Sequence, residues 1–134
     1  MVFSSWIPEG TLAQWMLFIS ITSVFNTAQT YVTQARLTRR IYSGKPQEVS
    51  SLTARLFGTW TLTSAMIRGY AAYHLHSPPI YHLAMASYLI ALGHFGSELL
   101  VYRTLKLDDL ARFPFIVATL SLGWLWASYD AYLK

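Results

Sequence analysis

The chain contains no cysteine. That single absence excludes disulfides, thiolate-bound metals and a cysteine nucleophile. Charge is scarce too: 12% of the residues are Asp, Glu, Lys or Arg, against about 25% in a typical soluble domain. There is no internal repeat, low-complexity tract or glycine-rich phosphate loop. An HExxH helix and the repeated His-rich boxes that hold iron in membrane oxygenases are also lacking. The acidic residues sit near the ends of apolar segments, so no Ser-His-Asp order forms.

What the chain does have is apolar length. Of its 134 residues 54% are hydrophobic. Four apolar segments run from Leu12 to Tyr31, Leu52 to Tyr73, Ile80 to Tyr102 and Phe113 to Leu133. Each is about 20 residues, the length a helix needs to cross a ~30 Å hydrocarbon core. The second is the least continuous, with an uncharged stretch only from Leu56 to Ile67, between Arg55 and Arg68. A buried soluble helix competes there. A span is preferred because both arginines lie near the ends and can snorkel. The expected fold is an all-α membrane protein: one domain over residues 1–134, a bundle of four transmembrane helices with short loops. Met1 to Gly10 holds no Lys or Arg and lacks the basic start of a signal peptide, so the first segment is expected to stay as a helix. Ser50 or Ser51 is placed to cap the second helix. Ser77-Pro78-Pro79 is expected to end it and make a tight return.

The net charge of +4 is unevenly placed. Arg36, Arg39, Arg40 and Lys45 lie in the first connection, and Arg55 follows just inside the second segment. Arg103, Lys106 and Arg112 lie in the third connection, with Asp108 and Asp109 beside them. Four spans put both connections on one side, leaving only Arg68 and Lys134 for the other. The bias predicts cytoplasmic loops at 32–51 and 103–112 and lumenal termini. Basic residues that flank apolar segments orient helices and touch anionic headgroups, at about 1 kcal/mol each. The high isoelectric point is therefore not read as nucleic-acid binding.

Polar residues inside the segments are candidates for a site or for helix contacts. His94 and Glu98, four apart, share a helix face. A carboxylate and an imidazole can relay protons or bind a metal. Alternatively they serve packing, with Glu98 matching Arg55 in depth. Arg68 matches Asp130 and Glu9 in the same way. Asn26 suits a hydrogen bond between helices. His74, His76 and His82 cluster at the return, where a metal site competes with ordinary interfacial contacts. The small-residue pairs Ala65/Gly69, Ser87/Ala91 and Gly123/Ala127 suit close packing or self-association.

Several strings are distinctive. They include Ser23-Val24-Phe25-Asn26, Gln29-Thr30-Tyr31-Val32, Ala54-Arg55, Phe57-Gly58-Thr59-Trp60-Thr61, Ile67-Arg68 and His94-Phe95-Gly96-Ser97-Glu98-Leu99-Leu100. From Leu17 to about Leu107 the chain resembles the ergosterol biosynthetic protein 28 family. The resemblance implies a non-catalytic scaffold of the endoplasmic reticulum membrane, without cofactor, metal or assigned catalytic residues. It implies as partners the sterol C4-methyl oxidase, the decarboxylating 3β-hydroxysteroid dehydrogenase, the 3-keto-sterol reductase and the sterol C24-methyltransferase. The competing reading is a small sterol-binding or sterol-modifying membrane protein that uses His94 and Glu98.

Overall fold

The computed structural model describes residues 6–107 and 112–133, and among these it holds helices and no strand. Helix α1 spans Thr11–Thr33, α2 Ala35–Ile41, α3 Ser51–Ala72, α4 Pro78–Leu100, α5 Arg112–Ala127 and α6 Tyr129–Leu133; a 3₁₀ turn covers Pro46–Glu48. Asp108, Asp109 and Lys134 lie outside the described residues.

The boundaries have local causes. Gln34 stands at a φ of 54° and breaks α1 from α2, so the three arginines of the first connection lie on a separate short helix. Ser50 caps α3, its hydroxyl accepting from the Thr53 amide at 3.1 Å. Pro78 and Pro79 open α4 and do not close α3. A first-turn amide has no partner within its helix, so proline's missing donor costs nothing there. The return is instead closed by the His74 amide on the Ala71 carbonyl at 2.9 Å. The fourth apolar segment, expected unbroken to Leu133, is two helices divided at Ser128.

On α3 and on the later turns of α1 the distribution of side chains is the reverse of a soluble helix's, whereas α4 buries Tyr81, Tyr88 and Phe95. On α3 the buried residues are Ala54, Gly58, Ser64, Ala65, Arg68, Ala71 and Ala72, while Leu52, Leu56, Leu62, Met66 and Tyr70 are exposed. On α1, Leu12, Met16 and Ile19 are buried at the start and Ser20, Thr27 and Thr30 beyond them; Phe18, Ile21, Val24, Phe25 and Val32 face out. A helix in water puts its bulky apolar side chains inward. By length and composition, one helix, Pro78–Leu100, is long and apolar enough to cross a membrane.

Inside, the bundle is built from two tight pairs. Helix α1 lies along α3, and α4 along α5; the two pairs meet less extensively. Gly58 lets α1 and α3 approach: a Cβ there would lie 3.2 Å from Tyr31 and 3.3 Å from Thr30. Thr27 donates to the Gly58 carbonyl at 3.2 Å, and Tyr31 and Thr59 share a hydroxyl contact of 2.7 Å. Of the small-residue pairs, Ser87 and Ala91 are buried and Gly69 lies against Ser20. Gly123 and Ala127 face outward, so that pair contributes nothing to the interior.

The two basic connections meet at one end of the bundle. The Gly44 amide donates to the Thr104 carbonyl at 2.9 Å, and a Cβ on Gly44 would fall 2.5 Å from the Arg103 carbonyl oxygen. Gly44→Ala is expected to destabilise by about 1–3 kcal/mol, because backbone must shift to admit the methyl group. Gly123→Ala has open space within 4 Å and is expected to be neutral or slightly stabilising. Melting of the two variants in mild detergent checks this: Gly44→Ala should melt several degrees below Gly123→Ala.

Candidate functional site

The distinctive sequence strings converge at the basic end. Phe57 and Trp60 come from α3, His94 and Phe95 from α4, and Tyr42 from the connection. Tyr42 lies edge-on to Phe57 with centroids 5.8 Å apart, Trp60 to His94 at 5.3 Å, and Phe57 to Phe95 at 6.5 Å. Such edge-on pairs contribute about 0.5–1.5 kcal/mol each beyond burial. The cluster fixes where α3, α4 and the connection meet.

His94 is held by the Tyr42 hydroxyl, 2.7 Å from its Nε2. Tyr42 is only 7% exposed. Burial, and secondarily the nearby Glu98 carboxylate, push its phenol well above the ordinary value, so the hydroxyl stays neutral. Glu98 follows His94 by one turn, and its backbone carbonyl accepts from Thr104 at 2.9 Å. Arg103 makes that contact possible by adopting a φ of 57°. With Lys45, Glu48, His94 and Trp60, the Glu98 side chain lines an open groove of about 660 Å³ between the connections and α3 and α4.

The expected ion pairs are not the contacts made. Arg55 donates to Gln34 Oε1 at 2.9 Å, not to Glu98. Arg68 donates to the Ser87 hydroxyl at 3.1 Å and the Ser87 carbonyl at 3.0 Å, with its guanidinium 4.0 Å from the Tyr88 ring centroid. The hydrogen bonds of Arg68 thus go to Ser87 rather than to Asp130 or Glu9. Matched depth does not fix rotation about the helix axis, and rotation turns these arginines to neutral acceptors. Asn26 does not bridge helices through its side chain; it is exposed, its carbonyl accepting the Thr30 hydroxyl at 2.8 Å.

The three histidines of the return separate. His74 donates to the Tyr70 carbonyl at 2.9 Å, His76 to the Tyr132 carbonyl at 3.0 Å, and His82 meets the Tyr129 hydroxyl at 2.7 Å. His76 and His82 thereby hold α6 against the return. Among the described residues no group of three His, Asp or Glu side chains is placed to bind a metal. In the first connection Arg36, Arg39 and Arg40 are all exposed, and Arg39 also donates to the Val49 carbonyl at 3.2 Å.

A second cavity, of about 520 Å³, opens between the two helix pairs. Helices α1 and α3 give it a largely polar wall that includes Thr22, Asn26, Ser64 and Arg68; α4 and α5 give an apolar one that includes Phe95, Phe113 and Val117. Phe57 and Trp60 border both this cavity and the groove. Tyr42 and Gln34 carry no motif signal, and Ser87 is marked in the sequence only as a small residue for packing. Phe57, Trp60 and Phe95 were present in the distinctive strings, but adjacency in sequence could not say that they touch.

These features describe a class: a helical bundle with many bulky apolar side chains outside, small and polar residues in its seams, and an aromatic junction beneath two basic connections. The comparisons give the family. The profile described as Erg28 like protein matches residues 12–123. Ergosterol biosynthetic protein 28 of Saccharomyces cerevisiae is 50% identical over 126 residues, covering 94% of this chain and 85% of that protein. The Candida albicans protein of the same name is 44% identical over 135 residues, covering 98% and 97%. A human homolog is 40% identical over 113 residues, covering 84% and 81%. No solved structure matches. The chain belongs to the Erg28 family, named for ergosterol biosynthesis.

Tyr42 gives the junction a pH signature. A phenol whose folded value is raised holds its proton after the unfolded chain has lost it, so stability is full below about pH 10 and falls as pH rises further. Melting followed from about pH 8 to about pH 11 should show that loss, and Tyr42→Phe should flatten it. At neutral pH the same variant should cost about 1 kcal/mol for the lost bond to His94. An unchanged alkaline slope in Tyr42→Phe would contradict the burial of that hydroxyl.

Proposed function

We propose that this protein is a non-catalytic scaffold of the endoplasmic reticulum membrane that tethers the sterol C4-demethylation enzymes. Its partners on this reading are the C4-methyl oxidase, the decarboxylating 3β-hydroxysteroid dehydrogenase and the 3-keto-sterol reductase, with the sterol C24-methyltransferase as a further one. The observation that carries the reading is family membership along nearly the whole chain, with curated relatives named for ergosterol biosynthesis. The many exposed Leu, Ile and Phe side chains on α1, α3, α4 and α5 support four crossings, because such side chains are stable against lipid and costly against water. The meeting of the two basic connections at one end supports a cytoplasmic face there and lumenal termini.

A tether works by concentration. Linked enzymes meet each other's product at an effective concentration that reaches the millimolar range, and a sterol released into a bilayer otherwise diffuses away. Exposed Arg36 and Arg40 offer charge to cytoplasmic enzyme domains, and the outward apolar faces offer packing to membrane anchors. A second reading has one specific support: His94, Tyr42 and Glu98 border one groove, where an imidazole and a carboxylate can move protons. On that reading the chain itself modifies a sterol.

Affinity purification of the tagged chain in mild detergent separates the two. The oxidase, decarboxylase and reductase are expected to co-purify, and C4-demethylation by the complex is expected to survive Glu98→Gln and His94→Ala. A chain that purifies alone and turns over a sterol, with turnover lost in Glu98→Gln, would establish the enzyme instead. Joint charge reversal, Arg36→Glu with Arg40→Glu, should reduce recovered enzymes at least several-fold without lowering the melting temperature. Glycosylation tags at both termini should be modified; modification of neither would reverse the orientation.

A further inference from the structure

The cavity between the helix pairs has a shape and a charge that the tethering role leaves unexplained. It extends along α3 from Phe57 to Arg68, about 16 Å at 1.5 Å per residue. Its volume of about 520 Å³ lies within the ~300–1,000 Å³ of small-molecule pockets. One wall is apolar, with Phe95, Phe113 and Val117; the other is polar and includes Arg68. That arginine is 7% exposed, and two of its five N–H groups bond to the hydroxyl and carbonyl of Ser87. Among the described residues no carboxylate pairs with it. A buried cation supported only by neutral oxygens and a ring face is electrostatically incomplete, and it borders an elongated, mostly apolar space. The complement of such a space is a long apolar body with one anionic group.

We propose that this cavity binds an amphipathic carboxylic acid of sterol size, with its carboxylate on Arg68 and its ring body against Phe95 and Val117. The sterol identity rests on the tethering reading above, and reaction chemistry sharpens it. An enzyme that oxidises a methyl group and a decarboxylase that acts after it must pass a carboxylate between them, because decarboxylation consumes one. The cavity is suited to hold that sterol acid during transfer. The exposed amide of Asn26 on the same wall suits a second polar substituent on the ligand.

Retention of radiolabelled ligand by the purified full chain in detergent tests this. The probes are a 4-carboxysterol, the 4-methylsterol of the same skeleton, and oleate. The carboxysterol is expected to bind at one per chain and at least tenfold more tightly than the methylsterol or oleate. Arg68→Gln should remove that tenfold preference, and Val117→Trp, which fills the apolar side, should abolish retention. Equal binding of acid and methylsterol overturns the role of Arg68; equal binding of oleate overturns the sterol assignment; undiminished binding by Val117→Trp overturns the location. The comparison of three probes on the unaltered chain decides the matter even if a variant fails to fold. Co-purification of the oxidase and decarboxylase is scored on the same unaltered preparation. Enzymes recovered with no acid preference refute the site alone, and acid bound without enzymes refutes the tether alone.

Discussion

Many of the bulky apolar side chains on the long helices face outward, and that constraint shapes the rest. With Leu52, Leu56, Met66 and Tyr70 on the outer face of α3, that helix meets its neighbours chiefly through small and polar residues such as Ala54, Gly58, Ser64 and Ala65. In lipid, helices associate through close packing and polar contacts, each averaging about 0.6 kcal/mol and reaching about 1.7. The seams are built accordingly. Gly58 brings α1 against α3, Trp15 donates to Ser121 at 2.9 Å to join α1 and α5, and Arg68 joins α3 to Ser87 on α4. None of these contacts is large, so the fold depends on many of them acting together.

The same constraint explains why the bundle contains open space. Small residues let each pair, α1 with α3 and α4 with α5, close tightly. Across the pairs the spacing is set by larger groups, above all Phe57, Trp60, His94 and Phe95. Aromatic rings at one level hold the pairs apart on either side of themselves. The groove beneath the connections and the cavity between the helices are both consequences of that junction, and both are bordered by Phe57 and Trp60.

Hydropathy placed four helical segments within a few residues of where they lie, because apolar length is a property of composition along the chain. The basic connections were legible as neighbours for the same reason. Details that depend on rotation or on single backbone angles were not legible. Arg55 was matched by depth to Glu98, yet it turns to Gln34, a residue whose left-handed φ nothing in the sequence announces. Pro78 and Pro79 were taken to end a helix when they begin one; proline marks a boundary without saying which side of it is helical. His94 stands out in the sequence as a candidate, but its partner Tyr42 lies 52 positions away in a connection with no periodicity to read. The break at Ser128 has no composition signal, since the apolar character continues through it.

A scaffold that also holds an intermediate has a physical requirement that a passive tether lacks: the ligand and the partners must influence the same element. Trp60 meets that requirement. Its ring packs on His94 at 5.3 Å, His94 is fixed by Tyr42, and Tyr42 belongs to the connection that carries Arg36 and Arg40. Any ligand that shifts Trp60 from the cavity side acts on that connection through packed rings. Coupling between two sites is reciprocal in free energy, so a partner docked on the connection alters ligand affinity by the same factor. A coupling of about 1.4 kcal/mol is a tenfold change, which is enough to favour retention while the receiving enzyme is absent and release once it has docked. On the proposed reading the aromatic junction would be the packed path between the two faces, and its rigidity would set how much coupling passes.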